Sequence, residues 1–186
     1  MSDEQTHQHP SHELNGAGRS LGGHSEHCAS DDGQADEQVR RALGLAAETG
    51  QPTDYLAAVA RLCGSRLLVP LVSTGDETMT HDPQRQAEMA AVLLKHPTLG
   101  TAMLAFTGTD SLSRWNDRAR PIPATLDVVA DTARQSRAST VLVDFEGPHP
   151  LVIDGEVLAN LAESRRLVRL DDGGFGWLAT RTPDES

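Results

Sequence analysis

An abrupt change of composition near residue 36 constrains this chain more than any other feature. Residues 1–35 are rich in Gly, Ser, His, Gln and Asp, with two leucines and no aromatic residue. A stretch so poor in apolar area cannot offset its own ordering entropy, which predicts a disordered tail. Whatever folds is made from the remaining length, about 150 residues. That is one domain's worth and enough to bury a core without disulfide or metal support.

The charge divides at nearly the same place. Through residue 38, eight carboxylates (Asp3, Glu4, Glu13, Glu26, Asp31, Asp32, Asp36 and Glu37) stand against Arg19 alone, a balance of −7. The whole chain carries −11, so −4 is left for the rest. Phosphate backbones are bound by net basic surfaces, and neither part has one, so no nucleic-acid partner is expected. No apolar run approaches the roughly 20 residues that cross a bilayer. The opening MSDEQTHQHPSHELNGAG lacks the basic start and apolar stretch of a signal peptide. With only Cys28 and Cys63 as cysteines, these features predict a cytoplasmic protein without membrane contact.

Periodicity and turn residues outline the elements. Asp36 is a plausible N-cap for a helix with Val39, Leu43 and Ala46 on one face. Gly50-Gln51-Pro52 breaks that helix, and Thr53 or Asp54 caps a second carrying Leu56, Val59, Ala60 and Cys63. Arg66–Val72 reads as a buried strand in which Pro70 favours an edge or bulge position. Residues 73–84 are loop-like. Residues 85–94 fit a helix by composition and a strand by alternation. Thr101–Phe106 reads as a strand, and Thr109 or Asp110 caps a short helix over Ser111–Asn116. Pro121 and Pro123 suggest an extended linker. Leu126, Val129, Ala130 and Ala133 mark another amphipathic helix. Thr140–Asp144 is the clearest strand, with Leu151–Ile153 beside it. Val157, Leu158 and Leu161 form a last helix. Leu167–Leu170 and Phe175–Leu178 flank Asp171-Asp172-Gly173-Gly174, a hairpin composition. The sum is an α/β (α+β) fold, a small mixed sheet of about five strands covered by helices and closed by a C-terminal hairpin.

Few residues carry recognisable chemistry. Lys95 is the sole lysine, and no Gly-Lys-Ser/Thr triplet exists, which excludes a phosphate-binding loop. Gly-x-Gly-x-x-Gly, Cys-x-x-Cys and His-Glu-x-x-His are also absent. Gly18-Arg19-Ser20-Leu21-Gly22 matches a nucleophile elbow, but no strand precedes it. His24, His27 and Cys28 bring three possible metal ligands together, although a floppy tail would lose much of the binding free energy to ordering, so only weak metal binding is expected. Arg114, Arg118 and Arg120 beside Trp115 suit a small anionic ligand or an acidic partner. The plainer alternative has Trp115 in the core, with Arg114 stacked on it or paired with Asp144. Asp144 and Glu146, at the end of the clearest strand, are read as turn-capping groups.

Several short motifs recur in a familiar order: Arg66-Leu67-Leu68-Val69-Pro70-Leu71-Val72, Glu88-Met89-Ala90 and Ala105-Phe106-Thr107, then Ser111-Leu112-x-Arg114-Trp115 and Ala119-Arg120-Pro121-x-Pro123. Over roughly residues 37–163 this set resembles the SseB-like N-terminal domain family, in its actinobacterial form. The resemblance implies an α+β-type domain without known catalytic residues. It also implies that 85–94 is extended and pairs with 101–106. The expected organisation is an acidic His-rich tail (1–35), an SseB-like domain (36–165), and a C-terminal hairpin and tail (166–186). The expected function is a non-catalytic protein-interaction or regulatory module, needing no cofactor. Binding of a small anion at Arg114–Arg120 and weak metal binding by the tail are the alternatives.

Overall fold

The computed structural model describes residues 32–73, 89–96 and 100–180. The possible elbow at residues 18–22, His24, His27, Cys28 and the stretch 74–88 lie outside them. Helix α1 (Glu37–Thr49) begins where the composition changes. Asp36 caps it, its carboxylate accepting from the Gln38 N–H, and Gly50 ends it in a left-handed conformation at φ 62°. Helix α2 (Pro52–Cys63) follows at once. Its cap is Gln51 rather than Thr53 or Asp54, because Pro52 has no N–H to lose at the first helical position.

Strand β1 (Arg66–Ser73) lies between β2 (Met89–Ala91) and β5 (Arg120–Thr125) in a three-stranded antiparallel sheet. Pro70 is therefore in a central strand, not at an edge. Leu68, two residues earlier, exchanges both backbone bonds with Phe106. Alternate residues of a strand point the same way, so the Pro70 nitrogen also faces that side. It falls in the gap between the Phe106 bridge and the first β2 pair, Leu71 with Ala91. No ladder donor is needed there.

The same parity turns the expected linker into strand β5. Pro123 stands opposite Leu68 and Pro121 opposite Pro70. Both proline nitrogens point away from β1, to the outer edge of the sheet, where a missing donor costs nothing.

The second sheet has the order β3-β4-β6-β7, from β3 (Leu93–His96), β4 (Gly100–Ala105), β6 (Thr140–Val143) and β7 (Leu151–Asp154). Only β4 and β6 run parallel. Between them come α3 (Thr109–Trp115), β5 and α4 (Leu126–Gln135). The stretch read as one strand over 85–94 thus serves two sheets. Residues 89–91 pair with β1, whereas 93–96 pair with β4. Val92 is the crossing point, its carbonyl accepting from the Leu104 N–H.

The two faces of the second sheet meet different cores. Met103, Ala105, Val141, Val143, Leu151 and Ile153 point into the main core, against Val39, Leu43, Val59, Leu62, Val129 and Leu161 of the helices. On the other face, Leu104 and the partly buried Leu142 meet a smaller cluster of Leu68, Val92, Phe106, Leu112 and Trp115. Helix α5 (Gly155–Ala162) precedes a third, two-stranded sheet of β8 (Arg165–Arg169) and β9 (Phe175–Ala179). Leu167 is buried, and Phe175 and Trp177 pack beside it on the main core. The mixed α+β class and the closing hairpin are as expected; the nine strands among the described residues form three small sheets.

Candidate functional site

Among the described residues, three places with polar chemistry differ in how completely it is used. The first is the stretch from Arg114 to Arg120. Arg114 ends α3, and Arg114, Arg118 and Arg120 are all exposed. Trp115 is half-buried and packs on Phe106, ring centroids 5.6 Å apart and tilted by 31°. The tryptophan therefore anchors α3 to the smaller core, as in the plainer of its two readings, with exposed guanidinium groups on either side of it in sequence.

The second place is a buried latch at the C-terminal ends of the parallel pair β4 and β6. Asp144 is 3% exposed. Its Oδ1 accepts from the Thr107 N–H at 2.9 Å and from Ser111 Oγ at 2.6 Å, and its Oδ2 accepts from Thr107 Oγ1 at 2.6 Å. The residue adopts φ 50°, a left-handed conformation that Asp tolerates better than most side chains. Arg40 of α1 donates through Nε to Thr107 Oγ1 and grips Asp110 with Nη1 and Nη2 at 2.6 and 2.7 Å. Arg66 donates to the Thr107 carbonyl at 2.5 Å. This hydrogen bonding to Arg40 holds the Asp110 carboxyl below the usual carboxylate range and raises the Arg40 guanidinium. That Thr107 and Ser111 meet Asp144, and Arg40 meets Asp110, was not legible in the sequence because 37, 33 and 70 positions separate these hydrogen-bonded pairs. Asp144 thus ties β6 to the end of β4 and the start of α3, while Glu146 is exposed. Arg114 makes no part of this latch.

The third place was not foreseen. Helix α2 and the closing hairpin leave a groove of about 540 Å³ between them. Ala57, Ala60, Cys63, Leu167, Val168, Phe175 and Leu178 supply its apolar surface; Arg61, Arg166 and Arg169 line it, and no carboxylate does. Leu178 is 58% exposed, the most exposed large apolar side chain among the described residues. Strand β9 pairs only with β8 among those residues, so its other edge presents unpaired backbone groups. Arg166 reaches Asp127 at 3.2 Å, but its Nε is buried without a partner. Burial pushes the Cys63 thiol up, away from the reactive thiolate.

Among the described residues, no group of three or more His, Cys, Asp or Glu side chains could hold a metal ion, and no helix is long and apolar enough to cross a membrane. These features define a small mixed α+β domain whose best-formed polar cluster is internal and whose apolar groove is open. The model of the SseB protein N-terminal domain matches residues 39–160, and the chain belongs to that family. The match runs from within α1 to within α5 and leaves out the hairpin that forms one wall of the groove. No curated protein and no solved structure matches the chain.

Proposed function

We propose that this protein is a non-catalytic interaction module that docks a partner protein in the groove between α2 and the closing hairpin. One observation carries the reading: apolar side chains and arginines converge there, beside strand β9, which pairs only with β8 among the described residues. An extended peptide can add to a free strand edge through main-chain bonds while its side chains fill adjacent pockets. By contrast, the polar groups of the Asp144 latch bond to one another, which suits a structural role better than catalysis.

The test is crosslinking of the native protein in its own cell, comparing the wild type with Leu178→Glu. Leu178 is largely exposed, so the folded state should tolerate the change. Loss of a reproducible partner in the variant, with an unchanged melting temperature, is the expected result. Recovery of the same partners by both proteins would overturn the reading.

A further inference from the structure

The groove has a candidate occupant within this same chain. We propose that the acidic segment at residues 1–31 docks in the groove between α2 and the hairpin and competes with outside partners for it. This deepens the reading of the groove as a docking surface and rests on it.

Three observations point to that occupant. The first is charge. Residues 1–31 contain Asp3, Glu4, Glu13, Glu26 and Asp31 against Arg19. The groove is lined by Arg61, Arg166 and Arg169 with no carboxylate. Two other hollows near the start of α1 are less suited. One is lined by Arg40 and Arg41 but also by Glu37 and Asp110, which already engages Arg40. The other has Arg66 together with Asp32 and Asp36, and Arg66 donates to Thr107 and Gln34. Charge complementarity selects the groove.

The second observation is position. Ser65 Oγ donates to the Asp36 carboxylate at 3.3 Å, and Ser65 directly follows Gly64, which lines the groove. The chain thus passes close to one end of the groove at Asp36, three residues from Gly33, whose carbonyl accepts from the Thr109 N–H. Leu14, beside Glu13, is eighteen positions from Asp32, which allows a reach of up to roughly 60 Å. Attachment to the domain makes the encounter intramolecular, with an effective concentration of order millimolar for a short tether.

The third observation is chemistry. The groove wants apolar side chains and carboxylates together. Glu13-Leu14 supplies both, and Leu21 a second apolar anchor. Arg166, which pairs with Asp127, and the exposed Arg169 place guanidinium groups on the groove wall where a carboxylate can meet them. Arg166 and Arg169 also belong to the part of the chain outside the family match.

Paramagnetic relaxation enhancement on the full chain tests this. A nitroxide is placed on Ser20→Cys in a Cys28→Ser background; Cys63, being buried, stays unlabelled. Amides of Ala57–Gly64, Arg166–Arg169 and Phe175–Thr180 should be broadened at least about twofold more than those of Arg40, Arg41 and Asp110. The excess should vanish near 0.5 M salt, where screening shortens the electrostatic range to roughly 4 Å. It should vanish equally in a tail carrying Asp3→Asn, Glu4→Gln, Glu13→Gln and Glu26→Gln, changes that leave the domain untouched. Broadening centred on Arg40, Arg41 and Asp110, or spread evenly around Asp32, would overturn the proposal. So would broadening in a mixture of isotope-labelled chain without nitroxide and unlabelled chain with it, which would make the occupant a second copy. If the groove stays unbroadened while Leu178→Glu still abolishes partner capture, the tail proposal fails and the docking function stands.

Discussion

The Asp144 latch and the α2–hairpin groove use polar side chains in opposite ways. In the latch, a carboxylate at 3% exposure accepts three hydrogen bonds, and its neighbours are bonded in turn. In the groove, arginines surround apolar carbon, Leu178 is largely exposed, and the adjoining strand β9 pairs only with β8 among the described residues. A buried network is stable only when its members satisfy one another. A surface that leaves polar and apolar capacity unused is better suited to meeting another chain. The difference separates where this domain holds itself together from where it can be held.

The comparison breaks most readily at Asp144. Replacing Asp144 with Ala strands the Thr107 N–H and hydroxyl in the interior, while Ser111 keeps the Gly108 carbonyl, and should cost about 2–4 kcal/mol in urea unfolding. A loss below about 0.5 kcal/mol would mean that the latch is not holding the sheet. Removing Asp110 tests the exposed end of the same network. Its side chain is 55% exposed, so Asp110→Asn should cost no more than about 1 kcal/mol near neutral pH. The folded-state pKa of Asp110 is depressed. Its contribution is therefore present above the unfolded value of about 3.9 and disappears as pH falls through the folded value. The stability difference between wild type and Asp110→Asn should shrink in that acid window and be flat above it.

On the groove side, Leu178→Glu should change unfolding stability by no more than about 0.5 kcal/mol, since it alters an exposed position. A much larger loss would make the hairpin a fixed part of the core rather than a docking wall. The smallest signal is spectroscopic. Tyr55, the only tyrosine, sits on α2 with its phenol pushed up to about 12 by burial and by Asp154. Its absorbance should titrate well above the ordinary value of about 10. Because the raised pKa favours the neutral form in the folded state, stability falls as pH rises from the unfolded value through the folded one. Titration near 10 with the protein still folded would show α2 to be more open than described.

Much of the fold was legible because it depends on short-range patterns. Leu126, Val129, Ala130 and Ala133 are the buried face of α4, set by the 3.6-residue period. Asp36 caps α1, and Asp171-Asp172-Gly173-Gly174 turns the hairpin. The prolines misled for an equally physical reason. A missing N–H matters only on the side where a neighbouring strand needs it, and Pro70, Pro121 and Pro123 all face gaps or edges. Alternation left 85–94 open between helix and strand and the family resemblance implied an extended stretch, but neither could show that Val92 hands the chain from one sheet to the other. The arginines of the candidate site were visible as a cluster around Trp115, whereas the groove arginines are spread over α2 and the hairpin.

By itself the sequence determined the Asp36 cap of α1, the buried face of α4, the hairpin turn and the family, since each rests on neighbouring residues or an ordered set of short motifs. Only the tertiary structure decided which strand lies beside which, that Asp144 meets Thr107 and Ser111, and that α2 and the hairpin frame an arginine-lined groove. Those contacts join residues tens of positions apart, and packing, not local preference, selects them.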